Sequence, residues 1–251
     1  MKRFLWFIFP IIFAITLWEV ISQSGFLNSA LFPSPYKVAS ALWSMIITGT
    51  IFSDIRDSLW RLFAGLFLGS LMGIFLGLLT GRVKFFASVF SPLIQLLRPL
   101  PAVAIIPLVI VWFGIDDGAK IFSISFAVFF PVWINAHVGA QQVPRVFLWS
   151  AKLLTRSTIK TFRNVIFPAT LPFIIVGVRT GIAIGFVMVF VSELAGASSG
   201  LGYRISITHL AYRIDAMIAA LIVLGALGAT VDQLFVFFTN RFFTWLKFSS
   251  K

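Results

Sequence analysis

The 251-residue chain has no cysteine, two histidines, and eight acidic residues against twenty basic ones. Without cysteine there is no disulfide framework and no thiol chemistry. Two histidines and scattered carboxylates provide no metal-ligand cluster and no nucleophile–base pair. The pattern G-x-x-x-x-G-K-[ST] is also absent, so the chain carries no phosphate loop of its own. Polar sequence is scarce throughout: charged residues make up 11% and hydrophobic residues 59%, with a mean hydropathy of +1.01. These values lie outside the soluble range and define a polytopic membrane protein. The apolar runs are too long and too little alternating for barrel strands, so the fold class is all-α.

Runs of ~20 residues, the length that crosses ~30 Å of hydrocarbon, give about six spans. They fall near 4–23, 62–80, 85–114, 119–138, 169–192 and 214–238. The first opens like a signal peptide, with Lys2 and Arg3 before an apolar run, but Trp18 and Glu19 fit a cleavage site poorly. It is read as an uncleaved helix. If the N-terminus is inside, Lys2, Arg3, Arg82, Lys84, the five cations of 145–163, Arg241, Lys247 and Lys251 share one side with no acid. The other side holds Lys37, Arg56, Arg61, Lys120, Arg204 and Arg213 against Asp54, Asp57, Asp116, Asp117 and Asp215. This is the positive-inside asymmetry, with both termini cytoplasmic. The net charge of +12 therefore reads as a topology signal and not as a nucleic-acid partner.

The longest stretch that cannot sit in a membrane is Arg145 to Pro172, RVFLWSAKLLTRSTIKTFRNVIFPATLP. Lys152, Arg156, Lys160 and Arg163 recur at helical spacing along one face, with apolar residues on others. One or two short amphipathic helices at the cytoplasmic surface are expected, with Pro168 and Pro172 ending the helical pattern before the next span. Upstream, Pro33-Ser34-Pro35 forms an extended turn, followed by a short surface helix from Tyr36 to Ile47.

Gly65, Gly69, Gly73, Gly77 and Gly81 are spaced by four without a miss, and Gly177, Gly181 and Gly185 repeat the device. Each set forms a stripe where a neighbouring helix approaches backbone to backbone; the two stripes would meet each other or a second subunit. Residues 85–114, interrupted by Pro92, Pro99, Pro101 and Pro107, form a kinked or broken segment whose freed carbonyls face protein or a water-filled path. Arg98, Pro99 and Pro101 are candidate lining of such a path, with Arg179 and Glu193. Arg179 and Glu193 stand ~21 Å apart along one helix, too far to pair. His137 reads as a satisfied interfacial residue.

The chain resembles the permease subunits of ABC importers. Their cytoplasmic loop carries a Glu-Ala-Ala run, a glycine four residues after the second alanine, and a Leu-Pro-type ending. Trp149-Ser150-Ala151, Thr155 and Phe167-Pro168 occupy those places here. LFPSPYKV (31 to 38), RPLPAVAIIPLVIVWFGI (98 to 115), PATLPFIIVGVR (168 to 179) and SELAGASSGLGYRI (192 to 205) are similar to the nitrate/sulfonate/taurine/bicarbonate branch. The resemblance implies a type I ABC importer permease (MetI-like) fold as a single transmembrane domain over 1–251, with its core at 58–240.

It further implies a transport subunit that is not itself an enzyme and holds no cofactor, ATP being bound by separate ATPase subunits. Trp149, Ser150, Ala151, Lys152, Leu153, Leu154, Thr155, Arg156 and Ser157 would form the coupling helix for those subunits. An extracytoplasmic substrate-binding protein, a second copy of the chain and membrane lipid complete the implied partners, in a bacterial cytoplasmic membrane. The implied substrate is a small anion such as a sulfonate, nitrate or bicarbonate. With threonine where the family has glycine, the two short helices are expected to meet at a different angle or to run on as one. Two other readings remain open: an ion-coupled secondary transporter using Arg98, Arg179 and Glu193, and a membrane scaffold that moves nothing.

Overall fold

The computed structural model describes residues 2–24, 28 and 30–243, with side chains from Phe9 onward except Ile11. Lys247 and Lys251, and the side chains of Lys2 and Arg3, all counted above for topology, lie outside the described residues. Every regular element among those described is helical. Four helices are long and apolar enough to cross a membrane: α3 (Thr50–Arg82), α6 (Asp117–Gln141), the run Thr158–Gly196 that ends in α9 (Phe167–Gly196), and α11 (Ile214–Phe242). A fifth crossing is broken, and in α1 (Lys2–Gln23) the apolar part with described side chains covers only Ile12–Gln23. The six expected runs thus become four straight spans, one bent pair and a first helix described in part.

The bent pair replaces the single span expected at 85–114. α4 (Lys84–Leu97) turns by 88° into a 3-10 turn (Ala102–Ile105) that continues as α5 (Ile106–Phe113). Two of the four prolines cause the break. Pro99 and Pro101 lack donors; Arg98 still holds helical angles (φ −57°, ψ −38°), and the chain leaves the helix beyond it, with Pro101 extended at φ −61°, ψ 118°. Pro92 stays inside α4, and Pro107 sits in the first turn of α5, where no donor is needed. α3 ends at Arg82 and α6 begins at the opposite end of the bundle, so α4 and α5 together carry the chain from one end to the other.

α6 is the centre of the bundle, with Val128, Val132, Trp133, Ala136 and Ala140 fully buried. Glycine lets its neighbours come this close. A Cβ placed on Gly65 would stand 2.5 Å from Ile124 Cγ2, on Gly69 2.5 Å from Ser125 O, on Gly77 2.6 Å from Ala136 Cβ, and on Gly81 2.7 Å from His137 O. Gly73 faces Val132 Cβ at 2.9 Å. The stripe of α3 therefore lies along α6 and not along α9. Gly177 and Gly181 close on α6 along a neighbouring face, at Asn135 Cβ (2.9 Å) and Val128 Cγ1 (3.1 Å), while Gly185 meets Leu62 Cδ1 of α3 (2.9 Å). The two stripes do not pack on each other; both lie against neighbouring faces of α6, where Val128 and Val132 touch both.

Pro168 and Pro172 do not end a helix, contrary to expectation. The chain winds on without a stop from α8 (Thr158–Thr161) through a wide turn at Phe162–Ile166 into α9. In that turn Phe167 N bonds to Phe162 O, five residues back. The extra residue widens the helix where the ring of Pro168 would otherwise strike the preceding turn.

The helix expected over Tyr36–Ile47 is α2 (Pro35–Ile47). Ser34 is extended and caps it, its Oγ accepting from Lys37 N, with Pro35 in the first turn. It is not a loose surface helix: Val38, Ala41 and Met45 are buried, and Ala41 and Met45 pack with Ile51, Leu201 of α10 (Leu201–Leu210) and Ala216 of α11. α1 is tied to the same region by Trp18 Nε1 donating to Pro33 O (3.1 Å) and Ser22 Oγ donating to Phe32 O (2.9 Å).

Candidate functional site

The elbow between α6 and α9 begins at Pro144, whose extended backbone starts α7 (Arg145–Leu154). α7 ends on Thr155, at φ −155° and ψ 141°, an extended conformation that any residue adopts. Thr155 Oγ1 accepts from Ser157 N (3.1 Å), and Ser157 Oγ caps α8 by accepting from Lys160 N (3.3 Å). The two helices therefore neither fuse nor depend on glycine. Two hydroxyl caps and a three-residue extended link at Thr155, Arg156 and Ser157 make the corner.

Of the nine coupling candidates, only Ala151 is buried, packed toward the Asn164–Ala169 segment. Val146, Trp149 and Leu153 follow one another at helical spacing and point outward, with Leu153 90% and Leu154 87% exposed. Ser150, Lys152 and Arg156 are exposed, and Thr155 and Ser157 half-buried. Together Val146, Trp149, Leu153 and Leu154 form an exposed apolar ridge at the end of the bundle. No acidic residue occurs between Asp117 and Glu193, so the elbow is rimmed by cations alone.

The pathway candidates separate into three places. Arg98 lies exposed at the α4–α5 bend between Leu97 and the two prolines, with no ion pair among the described residues. Arg179 forms a two-pronged pair with Asp232 of α11: Nε to Oδ1 at 2.8 Å and Nη2 to Oδ2 at 2.7 Å. This pair sits mid-way along both spans with 53% and 37% of the side chains exposed. It lies on the faces of α9 and α11 turned away from the α3–α6 contact.

Glu193 is neither beside Arg179 nor on an open surface. Its carboxylate, fully buried, accepts from Arg61 Nη1 (2.8 Å), Ser58 Oγ (2.9 Å) and Gly202 N (2.9 Å). Arg61 also donates to Asp117 Oδ1 (2.8 Å) and to Ser199 O (2.7 Å). Next to it Asp54 accepts from Arg204 Nε (2.7 Å) and Gly200 N (3.1 Å), and Ser58 Oγ accepts from Leu201 N (2.9 Å). The turn between α9 and α10 is thus wrapped around one carboxylate and tied to α3 and α6. Gly200, at φ +112°, has no room for a Cβ: it would stand 2.5 Å from the Glu193 carboxylate.

Asp54, Ser58, Arg61 and Asp232 were not among the sequence candidates. A readable signal existed, because Asp54, Ser58 and Arg61 continue the Gly65–Gly81 stripe back toward the start of α3. The face that packs on α6 is the face that carries them. His137, read as a satisfied interfacial residue, bonds Thr80 Oγ1 through Nδ1 (2.9 Å) and stacks on Trp133, whose Nε1 donates to the same hydroxyl (3.2 Å).

A bundle built this way, broken once at paired prolines and carrying an exposed elbow between two spans, is the architecture of an importer permease. Residues 65–244 match the family of binding-protein-dependent transport system inner membrane components. The chain belongs to that family and is a multi-pass membrane permease subunit of an ABC import system. It is 34% identical over 218 residues to the putative aliphatic sulfonates transport permease protein SsuC of Escherichia coli (strain K12), covering 87% of this chain and 83% of that one. Its similarity to the taurine transport system permease protein TauC of the same organism is 28% over 223 residues, with 87% and 81% covered. To the nitrate import permease protein NrtB of Synechocystis sp. it is 29% over 232 residues, with 89% and 83% covered. Among solved structures, the inward-facing MetNI methionine ABC transporter superposes with a TM-score of 0.64 at 16% identity, over 80% of this chain and 98% of that one, a likeness of fold.

Proposed function

We propose that this chain forms the translocation pathway of a binding-protein-dependent importer for a small anion, sulfonate, nitrate or bicarbonate, in the bacterial cytoplasmic membrane. Two copies would enclose a path opening alternately to each side, with both termini and the 145–163 elbow in the cytosol. Separate ATPase subunits bind the ATP, and an extracytoplasmic binding protein delivers the substrate. The observation that carries this reading is the apolar ridge on α7, with Leu153 and Leu154 almost fully exposed at the one end of the bundle that holds cations without acids. Trp149 stands where the family has a glutamate, so this docking surface is apolar where relatives offer a carboxylate. The wide turn at Phe162–Ile166 joins the elbow to α9 without a flexible gap, which suits a rigid transmission of ATPase closure.

Leu154→Asp and Leu153→Asp are expected to abolish uptake while leaving membrane insertion and the melting of the purified chain unchanged. Truncating a central apolar anchor of an interface weakens it by about 2 kcal/mol or more, roughly 30-fold. Ala151→Glu is expected to differ, lowering stability as well because Ala151 is buried. Full uptake with Leu154→Asp would move the joint elsewhere.

The anion preference is supported by the relatives; Arg179, paired with Asp232, marks a polar face within the membrane and not a free positive charge. A charge at the centre of a bilayer costs about 2.5–3.5 kcal/mol, so the face bearing the half-exposed Arg179–Asp232 pair belongs to a watery path or to the contact with the second copy. Asp232→Asn, which leaves Arg179 unpaired, is expected to insert at normal levels and to change substrate affinity or uptake rate. A collapse of insertion with unaltered transport per molecule would place the pair against lipid.

A further inference from the structure

At the Arg82 end of the bundle, the concave side of the elbow and the end of α3 enclose a cavity of about 900 Å³. Its lining includes Arg82, Arg145, Lys152 and Arg156 and no acidic residue. Arg82 donates through Nη1 to Ala140 O (3.2 Å). Arg145, Lys152 and Arg156 make no ion pair or side-chain hydrogen bond among the described residues. The rest of the wall includes Val83, Leu148, Trp149, Phe162 and Ile166.

We propose that this cavity holds the headgroup of an anionic phospholipid, its phosphate among Arg82, Arg145, Lys152 and Arg156, with the glycerol against Trp149 and Phe162. Four cations converging on one space repel one another until an anion enters, and the nearest carboxylates in the sequence, Asp117 and Glu193, lie at the other end of the bundle. A soluble phosphate would satisfy the charge and leave the apolar wall without a partner; an amphiphile satisfies both. The cavity also lies at interfacial depth, level with the last turn of α3 and just before the start of α9, with exposed Val83 and Phe85 beside it as a path for acyl chains. Val146 and Leu153 lie outside the cavity and Trp149 stands at the border between the two faces, so a docked ATPase on the outer ridge would adjoin the lipid along one edge of the helix without filling its cavity. Bound there, the lipid would brace the elbow against the α3–α4 corner.

The test is calorimetric titration of the purified full-length chain, in a neutral detergent, with short-chain phosphatidylglycerol, short-chain phosphatidylcholine and glycerol phosphate. Phosphatidylglycerol is expected to bind and the other two to bind far more weakly. Arg145→Gln/Lys152→Gln/Arg156→Gln is expected to weaken it roughly a hundredfold, at about a fivefold loss per basic residue. Arg241→Gln, at the same end but outside the cavity, is expected to leave it unchanged. If the triple variant no longer melts cooperatively, the three single substitutions are titrated instead, each expected to show the fivefold loss. Equal binding by wild type and variants overturns the proposal. So does equal binding of glycerol phosphate, which would make this a site for a soluble phosphate, and so does loss of phosphatidylglycerol binding on adding an ATPase subunit, which would make the cavity part of the protein interface.

Discussion

Arg61→Met is expected to destabilise the folded chain by about 3–5 kcal/mol, the cost of leaving one member of a buried ion pair without the other. Glu193 has no exposed side-chain surface, and Arg61 is 4% exposed. Without Arg61 the carboxylate keeps only Ser58 Oγ and Gly202 N as donors. Ser199 loses the guanidinium that held its carbonyl, so the turn from α9 into α10 loosens from α3 at the same time. The check is thermal or denaturant unfolding of the purified protein in detergent. The double variant Arg61→Met/Glu193→Gln is expected to recover most of the loss, because a neutral amide no longer demands a cation. Arg213→Ala provides the contrast: its pair with Asp215 is long (3.5 Å) and largely exposed, and its removal should cost under about 1 kcal/mol. A double variant no more stable than the single one would mean that the Arg61 stem, and not its charge, holds this end together.

Where a local rule decides the outcome, the sequence could be read directly. Pro33-Ser34-Pro35 dictates the start of α2, and Pro99 with Pro101 dictates the break in the 84–113 segment, because each acts on the backbone within a few residues. The glycine stripe of α3 could be read as a packing surface, since five residues at a spacing of four can only lie on one face. What it packs against could not be, because a stripe carries no address. Only the side chains of Ile124, Val132, Ala136 and Ala140, set at matching intervals on α6, select that helix over α9. The Arg61–Glu193 pair is separated by 132 positions, and its formation depends on the register that the glycine contacts set between α3, α6 and α9. The continuation through Pro168 was hidden for another reason. A proline usually stops a helix, and the five-residue turn that accommodates it at Phe162–Ile166 leaves no mark in residue type. At the elbow, of the two outcomes that Thr155 suggested, a run-on helix is the one that does not occur, because Thr155 is extended and its hydroxyl and that of Ser157 cap the corner.

Gly69→Leu is the substitution expected to prevent folding altogether. A Cβ on Gly69 would lie 2.5 Å from Ser125 O and 3.1 Å from Ser125 Cα, both backbone atoms, with Val128 Cβ at 3.0 Å. No rotamer change relieves a clash with main chain, so α3 and α6 must separate. Their separation opens the whole line from Gly65 to Gly81, because two rigid helices part along their length. Overpacking at a single side chain costs about 1–3 kcal/mol; here loss of contact at the four neighbouring glycines adds to it. The expected result is a chain that inserts but elutes as aggregate from a sizing column in mild detergent. Gly225→Leu is the matched control. It adds the same side chain in the middle of another span, and a Cβ there has nothing within 4 Å, so the chain itself should fold normally and gain helix propensity of about 0.8 kcal/mol. If both variants aggregate, the Gly225 face of α11 is occupied in the assembled protein. If neither does, the close contact of α3 with α6 is not what holds this bundle in register.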